Sequence, residues 1–335
     1  MSPSIERRPE PATSECPVCR GRDTGPYAVG HDRFFRVAPG SFPLHRCAGC
    51  DCIFQFPLPA ESSLAAHYPE TYWWSAASSR PSVAKRTLLR LEGRYRELVT
   101  TGHVRFLQKC ARNAGTGSRI LLDIGCGNGT FLHLAQRRGF QAHGMDASQQ
   151  AVEVACRQYR LPVRRGVIGQ DLWPGYRFDF VTMFHVLEHV PDPRKALDYA
   201  ASLLRPGGRL LIQLPNVGSI QARLFRERWY GLDVPRHVIN YSPGGLALLL
   251  RETGWRICAR ARFSLRDNPA SLASSLVPSL DPLGRKARMR QSLPAAEAAL
   301  EVVYLGVFLL SLPPAWLEGV LGYGGTIWVA AERCA

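Results

Sequence analysis

Short apolar runs and amphipathic stretches divide the chain into predicted elements. The largely apolar segment 120–124 is typical of a buried parallel strand, and the segments 140–145, 163–168, 178–183 and 209–214 predict further strands after it. Two further runs, 255–265 and 325–331, also predict strands. Between Val83 and about Cys110, apolar residues recur at helical spacing and predict a long helix. We therefore expect an α/β fold.

A glycine-rich turn follows the first of these runs. Gly125, Gly127 and Gly129 alternate with other residues, and Thr130 opens a helix. Such glycines permit a tight turn and let a ligand approach the backbone, while the helix start offers free N–H groups. The G-x-G-x-G spacing differs from the dinucleotide fingerprint G-x-G-x-x-G. Asp123, two residues before the first glycine, would repel a pyrophosphate and suits a ligand that carries an ammonium.

Residues 121–132 resemble motif I of the class I methyltransferases that depend on S-adenosylmethionine (SAM). The resemblance covers about residues 115–265 and implies a Rossmann-like sheet of seven strands, the last one antiparallel. It implies that Asp146 grips the ribose hydroxyls and that Asp171 bonds the adenine amino group. The predicted SAM-binding residues are Asp123, Gly125, Cys126, Gly127, Gly129, Asp146 and Asp171. The alternative is an ordinary strand–turn–helix with glycines for packing.

Two C-x-x-C pairs lie within the first 50 residues. Cys16, Cys19, Cys47 and Cys50 would complete a tetrahedral Cys₄ set for one structural Zn²⁺. Cys52 would point to the opposite face of an extended segment, so it is left out. Two disulfides or a redox pair are the alternatives. The polar, proline-rich start has no apolar signal core, which favours zinc and a cytoplasmic location.

The cysteine pairs and the aromatic residues after them resemble the N-terminal module of zinc-ribbon class I methyltransferases. That group includes sugar C-methyltransferases and enzymes of polysaccharide and natural-product pathways. The aromatic residues could line a substrate mouth or pack between domains. The expected divisions are a disordered arm (1–14), a zinc ribbon (15–60), an aromatic segment with linker and bridging helix (61–113), a SAM-binding core (114–265), a helical lid (266–323) and a final strand (324–335).

Histidines are the candidate catalytic groups, because a methyl acceptor with a hydroxyl or carbon nucleophile must lose a proton. His185, Glu188 and His189 follow the run 178–183, where substrates reach a parallel sheet. His237 lies in a segment, 229–237, that resembles the substrate loop of the zinc-ribbon group. We expect His237 to act as general base and Glu188 and His185 to shape the acceptor pocket. Each of the histidines could instead have a structural role. For His189 that role would be to anchor the turn that contains Glu188.

The charge balance indicates what the protein could bind. With 42 Lys and Arg against 27 Asp and Glu, the formal charge of +15 favours anionic partners, unless it is only a solvated basic surface. We expect a methyltransferase that acts on a small molecule, a sugar, lipid-linked or natural-product intermediate, by O- or C-methylation. The alternatives are an RNA methyltransferase and a SAM-binding protein without activity.

Nucleic acid is the less favoured partner. The segment after run 178–183 reads F-H-V-L-E-H, whereas methylation of bases commonly uses an N/D-P-P-aromatic loop. The zinc module also lacks the dense basic and aromatic residues of an RNA platform.

A long insertion separates the last two predicted strands. Its first half is basic between residues 285 and 290, and its second half is apolar from Val302 to Trp316, broken by Pro313 and Pro314. The apolar run alone is too short to span a bilayer. Peripheral membrane contact through 285–317, self-association and a plain buried helix are the alternatives.

Overall fold

A computed structural model describes residues 14–68, 83–112, 118–288 and 294–334 of the chain. Nearly all of the predicted N-terminal arm, the aromatic residues Tyr72, Trp73 and Trp74, and the predicted linker at 76–82 lie outside the described residues. The divisions made from the sequence therefore remain predictions at these places.

A small antiparallel sheet forms the N-terminal part. It contains β1 (Thr24–Gly30), β2 (Phe42–Cys47) and β3 (Ile53–Gln55), followed by a short helix, α1 (Glu61–Leu64). Its fourth strand, β9 (Ile239–Asn240), comes from the far side of the chain and pairs with β3. The N-terminal sheet is thus completed by a segment of the predicted core.

Seven strands form the central sheet. They are β4 (Ile120–Ile124), β5 (Gln141–Asp146), β6 (Val163–Arg165), β7 (Phe178–Phe184), β8 (Leu204–Pro215), β10 (Trp255–Ala261) and β11 (Thr326–Arg333). Their order is β10-β11-β8-β7-β4-β5-β6. The five strands from β8 to β6 are parallel, and β11 runs antiparallel to both β8 and β10. This arrangement confirms the predicted fold class.

Helices connect and cover these strands. They are α2 (Val83–Arg112), α3 (Thr130–Gln136), α4 (Gln149–Tyr159), α5 (Pro193–Leu203), α6 (Ile220–Phe225), α7 (Pro243–Glu252), α8 (Asp267–Leu276), α9 (Pro282–Arg288) and α10 (Pro294–Val320). Ser148, Ser219 and Ser242 begin their helices by accepting a backbone N–H three residues on. Buried apolar side chains of the strands, such as Leu122, Val181 and Ile212, form the core.

Two strand ends differ from the prediction. The predicted strand 163–168 stops at Arg165, and the bond from the Gly166 N–H to the Asp146 carbonyl oxygen, at 3.0 Å, is the last one between β6 and β5. The predicted strand 209–214 begins earlier, at Leu204, which pairs with Phe178 across a bulge in the ladder.

The helix α10 includes Pro313 and Pro314 without interruption, where we predicted a break. Among the described residues, one helical stretch, Ala299–Val320, could cross a membrane by length and composition alone. The mean hydropathy of its most apolar part is 1.7, and 17% of that part is buried. The apolar stretch is therefore longer than the sequence pattern indicated.

Candidate active site

Three loops meet at the carboxyl ends of β4, β5 and β7. Parallel pairing sets Asp123 of β4 beside Gly144 of β5 and Thr182 of β7. The glycine turn, the acid at the end of β5 and the histidine after β7 therefore lie at one edge of the sheet. The order of the strands changes direction between β4 and β7, and ligands of open α/β sheets bind at such a point.

The glycine turn has a backbone that favours glycine. Gly125, Gly127 and Gly129 have φ angles of +73°, +52° and +77°. The N–H groups of Gly125 and Cys126 both donate to one carbonyl oxygen of β5, at 2.8 and 3.1 Å. A Cβ on Gly125 would lie 2.5 Å from a methyl carbon of Val186, so the turn packs directly against the segment after β7.

Asp146 fastens the glycine turn to β5. Its buried carboxylate accepts the N–H of Gly127 at 2.9 Å and that of Ser148 at 2.8 Å, one on each oxygen. Burial raises the pKa of this carboxyl. Each oxygen keeps a lone pair that could receive a ribose hydroxyl. Asp171 is exposed and lies on the loop that follows β6. The first residue of that loop, Gly166, donates its N–H to the Asp146 carbonyl oxygen. The Asp146 carboxylate thus lies at the glycine turn, and Asp171 is exposed on the loop after β6.

The buried carboxyl group of Asp123 lies where a positively charged ligand would stabilise its ionised form. Its Oδ1 accepts the Thr182 hydroxyl at 2.5 Å, and burial together with the nearby Asp146 carboxylate raises its pKa to about 7. No described cationic side chain forms a salt bridge with it. The ammonium of SAM would supply that charge, so these residues fit the predicted cofactor.

His185 lies between two carboxylates just beyond β7. Its Nδ1 is 3.2 Å from Glu188 Oε1, and its Nε2 is 3.3 Å from Asp267 Oδ1. Burial alone would lower the pKa of His185, but Asp267 and Glu188 raise it to about 9. The residue also has a left-handed φ of +56°, a conformation that is costly for a non-glycine residue and is found at functional sites. A protonated His185 has no lone pair with which to accept a proton.

His189 and His237 form a second cluster with Glu188. Their rings meet edge to face with centroids 4.7 Å apart. His237 Nδ1 lies 2.7 Å from the Gly231 carbonyl oxygen, and His189 Nδ1 lies 2.9 Å from that of Arg236. Burial, followed by the charge of His237, lowers the pKa of His189 to about 4. The structure therefore brings all four predicted catalytic residues together, in two clusters that share Glu188.

The N-terminal sheet holds the His237 loop in place. Arg236 is fully buried and forms salt bridges with Asp32 of the N-terminal part at 2.8 Å and with Asp233 at 2.6 Å. The Gln55 side chain of β3 donates to the His237 carbonyl at 3.2 Å. Together with the pairing of β3 and β9, these contacts make the N-terminal part a wall of the candidate site.

The four predicted zinc ligands converge. The Sγ atoms of Cys16 and Cys50 are 3.6 Å apart, those of Cys19 and Cys47 are 3.5 Å apart, and all four lie within 4.8 Å of one another. Tetrahedral Zn²⁺ with thiolates at about 2.3 Å needs sulfur atoms about 3.8 Å apart, so the cluster fits this ion. Cys52 is not one of the four converging cysteines, although its thiol contacts that of Cys50, and its sulfur accepts the Ser242 N–H.

Sequence reasoning assigned no specific role to three residues of the site. Asp267, at the start of α8, contacts His185 but falls in the insertion, where no motif marks it. Arg236 stands beside His237 in the segment that we singled out, yet its buried partner Asp32 is remote in sequence. The hydroxyl of Tyr68 lies 2.9 Å from His189 Nδ1. Arg236 and Tyr68 had a signal in the sequence: Arg236 lies within 229–237, and Tyr68 is one of the aromatic residues after the cysteine pairs that could line a substrate mouth.

Comparisons with known proteins identify the chain as similar to methyltransferases. A family model described as a methyltransferase domain matches residues 91–259. The ubiquinone biosynthesis O-methyltransferase of Idiomarina loihiensis is 32% identical over 139 residues, which cover 39% of this chain and 54% of that protein. The protein of the same name from Alkalilimnicola ehrlichii is 37% identical over 109 residues, or 30% of this chain and 44% of that protein. The chain thus spans about half the length of the curated relatives that it matches.

Among solved structures, a putative sarcosine dimethylglycine methyltransferase from Galdieria sulphuraria shares 16% of residues with a TM-score of 0.48. The alignment covers 70% of this chain and 86% of that one. A SAM-dependent methyltransferase from Archaeoglobus fulgidus shares 21% of residues with a TM-score of 0.46, over 71% and 94% of the two chains.

Proposed function

Because the chain belongs to the methyltransferase domain family, as its glycine and acidic motifs predicted, we propose that it transfers a methyl group from SAM to a small-molecule acceptor. The observation that supports this most directly is the contact between the glycine turn and the segment that carries His185, Glu188 and His189. A cofactor on the turn and an acceptor beside the histidines would lie next to each other, as direct transfer requires.

The residues of the turn would bind the cofactor. Asp123 would pair with its ammonium, the glycine turn would let it approach the backbone closely, and Asp146 would accept its ribose hydroxyls. The methyl group of SAM is already electrophilic because it is bound to a sulfonium, so the protein does not need to activate the methyl donor. Asp171 remains our proposed contact to adenine, and its side chain is exposed to solvent on the loop after β6.

His237 would receive the acceptor proton. Its Nδ1–H donates a hydrogen bond to the Gly231 carbonyl oxygen, which leaves the Nε2 lone pair free to accept a proton. The acceptor oxygen or carbon would then bond to the methyl carbon as the bond from that carbon to sulfur breaks. The imidazolium of His185, held between Glu188 and Asp267, would fix the position of the Glu188 side chain, so that the two residues shape the acceptor pocket. We propose a sugar, lipid-linked or natural-product acceptor.

The Cys₄ cluster would hold one structural zinc. Four thiolates leave the ion no open position, so its part would be to fold the N-terminal sheet that supports the His237 loop. Elemental analysis of protein treated with EDTA is expected to find one tightly held zinc per chain.

An apolar surface on α10 supports a lipid-linked acceptor. We define the apolar face by its exposed side chains: Val302, Leu305, Leu309, Leu310, Trp316, Leu317, Val320, Ile220, Leu224 and Tyr323. Glu318 on the opposite side accepts both the backbone and the side-chain N–H of Gln221, which docks the helix on the protein. Arg223 lies 5.5 Å from the Tyr323 ring, where aromatic and basic side chains suit lipid headgroups.

We therefore propose that the apolar face rests on an anionic membrane surface. Phosphatidylglycerol vesicles should sediment the protein more strongly than phosphatidylcholine vesicles. Leu310→Glu should weaken this binding, whereas Val29→Glu, at an exposed apolar residue of β1, should not. Equal binding by both variants, or a dimer that Leu310→Glu dissociates, would contradict membrane contact.

The experiment that tests the proposed activity is transfer of labelled methyl from SAM into separated RNA, lipid and small-metabolite fractions. Label in the lipid or metabolite fraction supports the proposal. Label in RNA alone would favour an RNA methyltransferase, and SAM binding without any labelled product would favour a protein that has lost activity.

A further inference from the structure

A carboxylate and two imidazoles converge beside the end of β7. One potential ligand atom from each of Glu188, His189 and His237 lies within 4.8 Å of those of the other two. Two imidazoles and one carboxylate are a ligand set that binds divalent transition metals in proteins. The cluster is separate from the four cysteines of the N-terminal sheet.

Hydrogen bonds leave one nitrogen of each imidazole available. The Nδ1 atoms of His237 and His189 lie 2.7 and 2.9 Å from the carbonyl oxygens of Gly231 and Arg236. Since a carbonyl oxygen can only accept, each Nδ1 carries the proton and each Nε2 keeps its lone pair. Histidines that bind metals are held in this way, with the second nitrogen donating to a backbone carbonyl or a carboxylate.

Glu188 offers the third ligand atom. Its side chain is only 1% exposed, and Oε1 accepts from His185 Nδ1. Its Oε2 is buried and has no hydrogen-bond partner among the residues that the structure describes. A buried carboxylate oxygen without a partner is costly, and a bound cation would satisfy it. A general base alone needs one lone pair, whereas this cluster offers three unused ligand atoms.

We infer that Glu188 Oε2, His189 Nε2 and His237 Nε2 bind one divalent transition metal ion, with positions left open for water or an acceptor oxygen. An oxygen bound to such an ion loses its proton more readily. The single lone pair of His237 Nε2 cannot bind an ion and accept a proton at once, so in the metal-bound protein His237 is a ligand instead of the base. The inference goes beyond the proposed methyl transfer and does not depend on it.

Co²⁺ is a suitable probe, because its visible bands distinguish nitrogen and oxygen ligands from thiolates. The full-length protein with its cysteine-bound zinc in place would be dialysed against EDTA and titrated with Co²⁺. We expect one equivalent of Co²⁺ to bind with bands free of thiolate charge transfer, while the zinc content stays unchanged. His237→Ala and Glu188→Gln should each weaken Co²⁺ binding at least tenfold.

His31→Ala is the matched control. The Nδ1 of His31 also lies 2.9 Å from a backbone carbonyl oxygen, that of Gly40, but this histidine is exposed and outside the cluster. SAM binding by each variant would show that it is folded, which matters most for the buried Glu188. Absence of Co²⁺ binding to the wild-type protein, or equal affinity in wild type and His237→Ala, would overturn the inference. Neither SAM nor acceptor is present in the titration, so failure of methyl transfer would leave its result unaffected.

Discussion

Protonation of Asp123 should control SAM affinity near neutral pH. With a pKa of about 7 in the cofactor-free protein, roughly one molecule in eleven has this carboxyl ionised at pH 6. If SAM binds only the ionised form, its affinity at pH 6 is about tenfold weaker than at a fully ionised site. The α-ammonium of SAM has an ordinary pKa of about 8, so affinity should also fall at higher pH. Binding should be tightest between about pH 7 and 8.

The same pKa predicts the opposite trend for the free protein. Because the folded state holds a proton on Asp123 that the unfolded state releases above its ordinary pKa of 3.8, this group makes folding less favourable as pH rises from about 4 to 7. Lowering the pH through that range should therefore increase the contribution of Asp123 to stability while it weakens SAM binding.

Isothermal titration calorimetry from pH 5.5 to 8.5 would measure the affinity, and the buffer dependence of the heat would count the protons released. Asp123→Asn is the matched control, since its side-chain oxygen can still accept the Thr182 hydroxyl. That variant should bind weakly and lose the acidic limb. A wild-type dissociation constant that is constant between pH 6 and 7.5, or the same slope in Asp123→Asn, would refute the reasoning.

Three further perturbations test the other parts of the site. His237→Ala should lower turnover by about 10²–10⁴-fold with SAM affinity nearly unchanged. If this variant turned over as fast as the wild type, His237 would be neither the base nor a ligand. Cys19→Ser should lose zinc and weaken acceptor turnover through the β3–β9 pairing but leave SAM affinity intact, whereas Cys258→Ser, outside the cluster, should change none of these. Arg236→Met should lower the free energy of unfolding by about 3–5 kcal/mol, because it leaves buried carboxylates unpaired. The exposed Arg46, paired with Asp51, is its control, and Arg46→Met should cost less than about 1 kcal/mol.

The central sheet and the cysteine cluster were predictable because their signals are local. The strands β4 and β7 consist mostly of apolar residues, and each C-x-x-C pair fixes two thiolates within one turn. The glycine turn was predictable for the same reason, since positive φ angles at Gly125 and Gly127 call for that residue.

What escaped prediction depends on partners remote in sequence. The two residues of β9 are too few to show a period, and they form a strand only because β3 offers an edge. Asp267 contacts His185 from an insertion whose composition predicts only helices. The pair of prolines in α10 suggested a break, yet the packing of Phe308 and Ala315 and the hydrogen bonds of Glu318 accompany an unbroken helix.

Methyl transfer itself tests the central claim most directly. The purified wild-type protein and Asp123→Asn would each be incubated with methyl-labelled SAM and a metabolite and lipid extract, and labelled products would be separated and identified. The account predicts a labelled small-molecule or lipid-linked product that requires the wild-type protein and is strongly reduced with Asp123→Asn. Tight SAM binding with no labelled product in any fraction, or label confined to RNA, would contradict it.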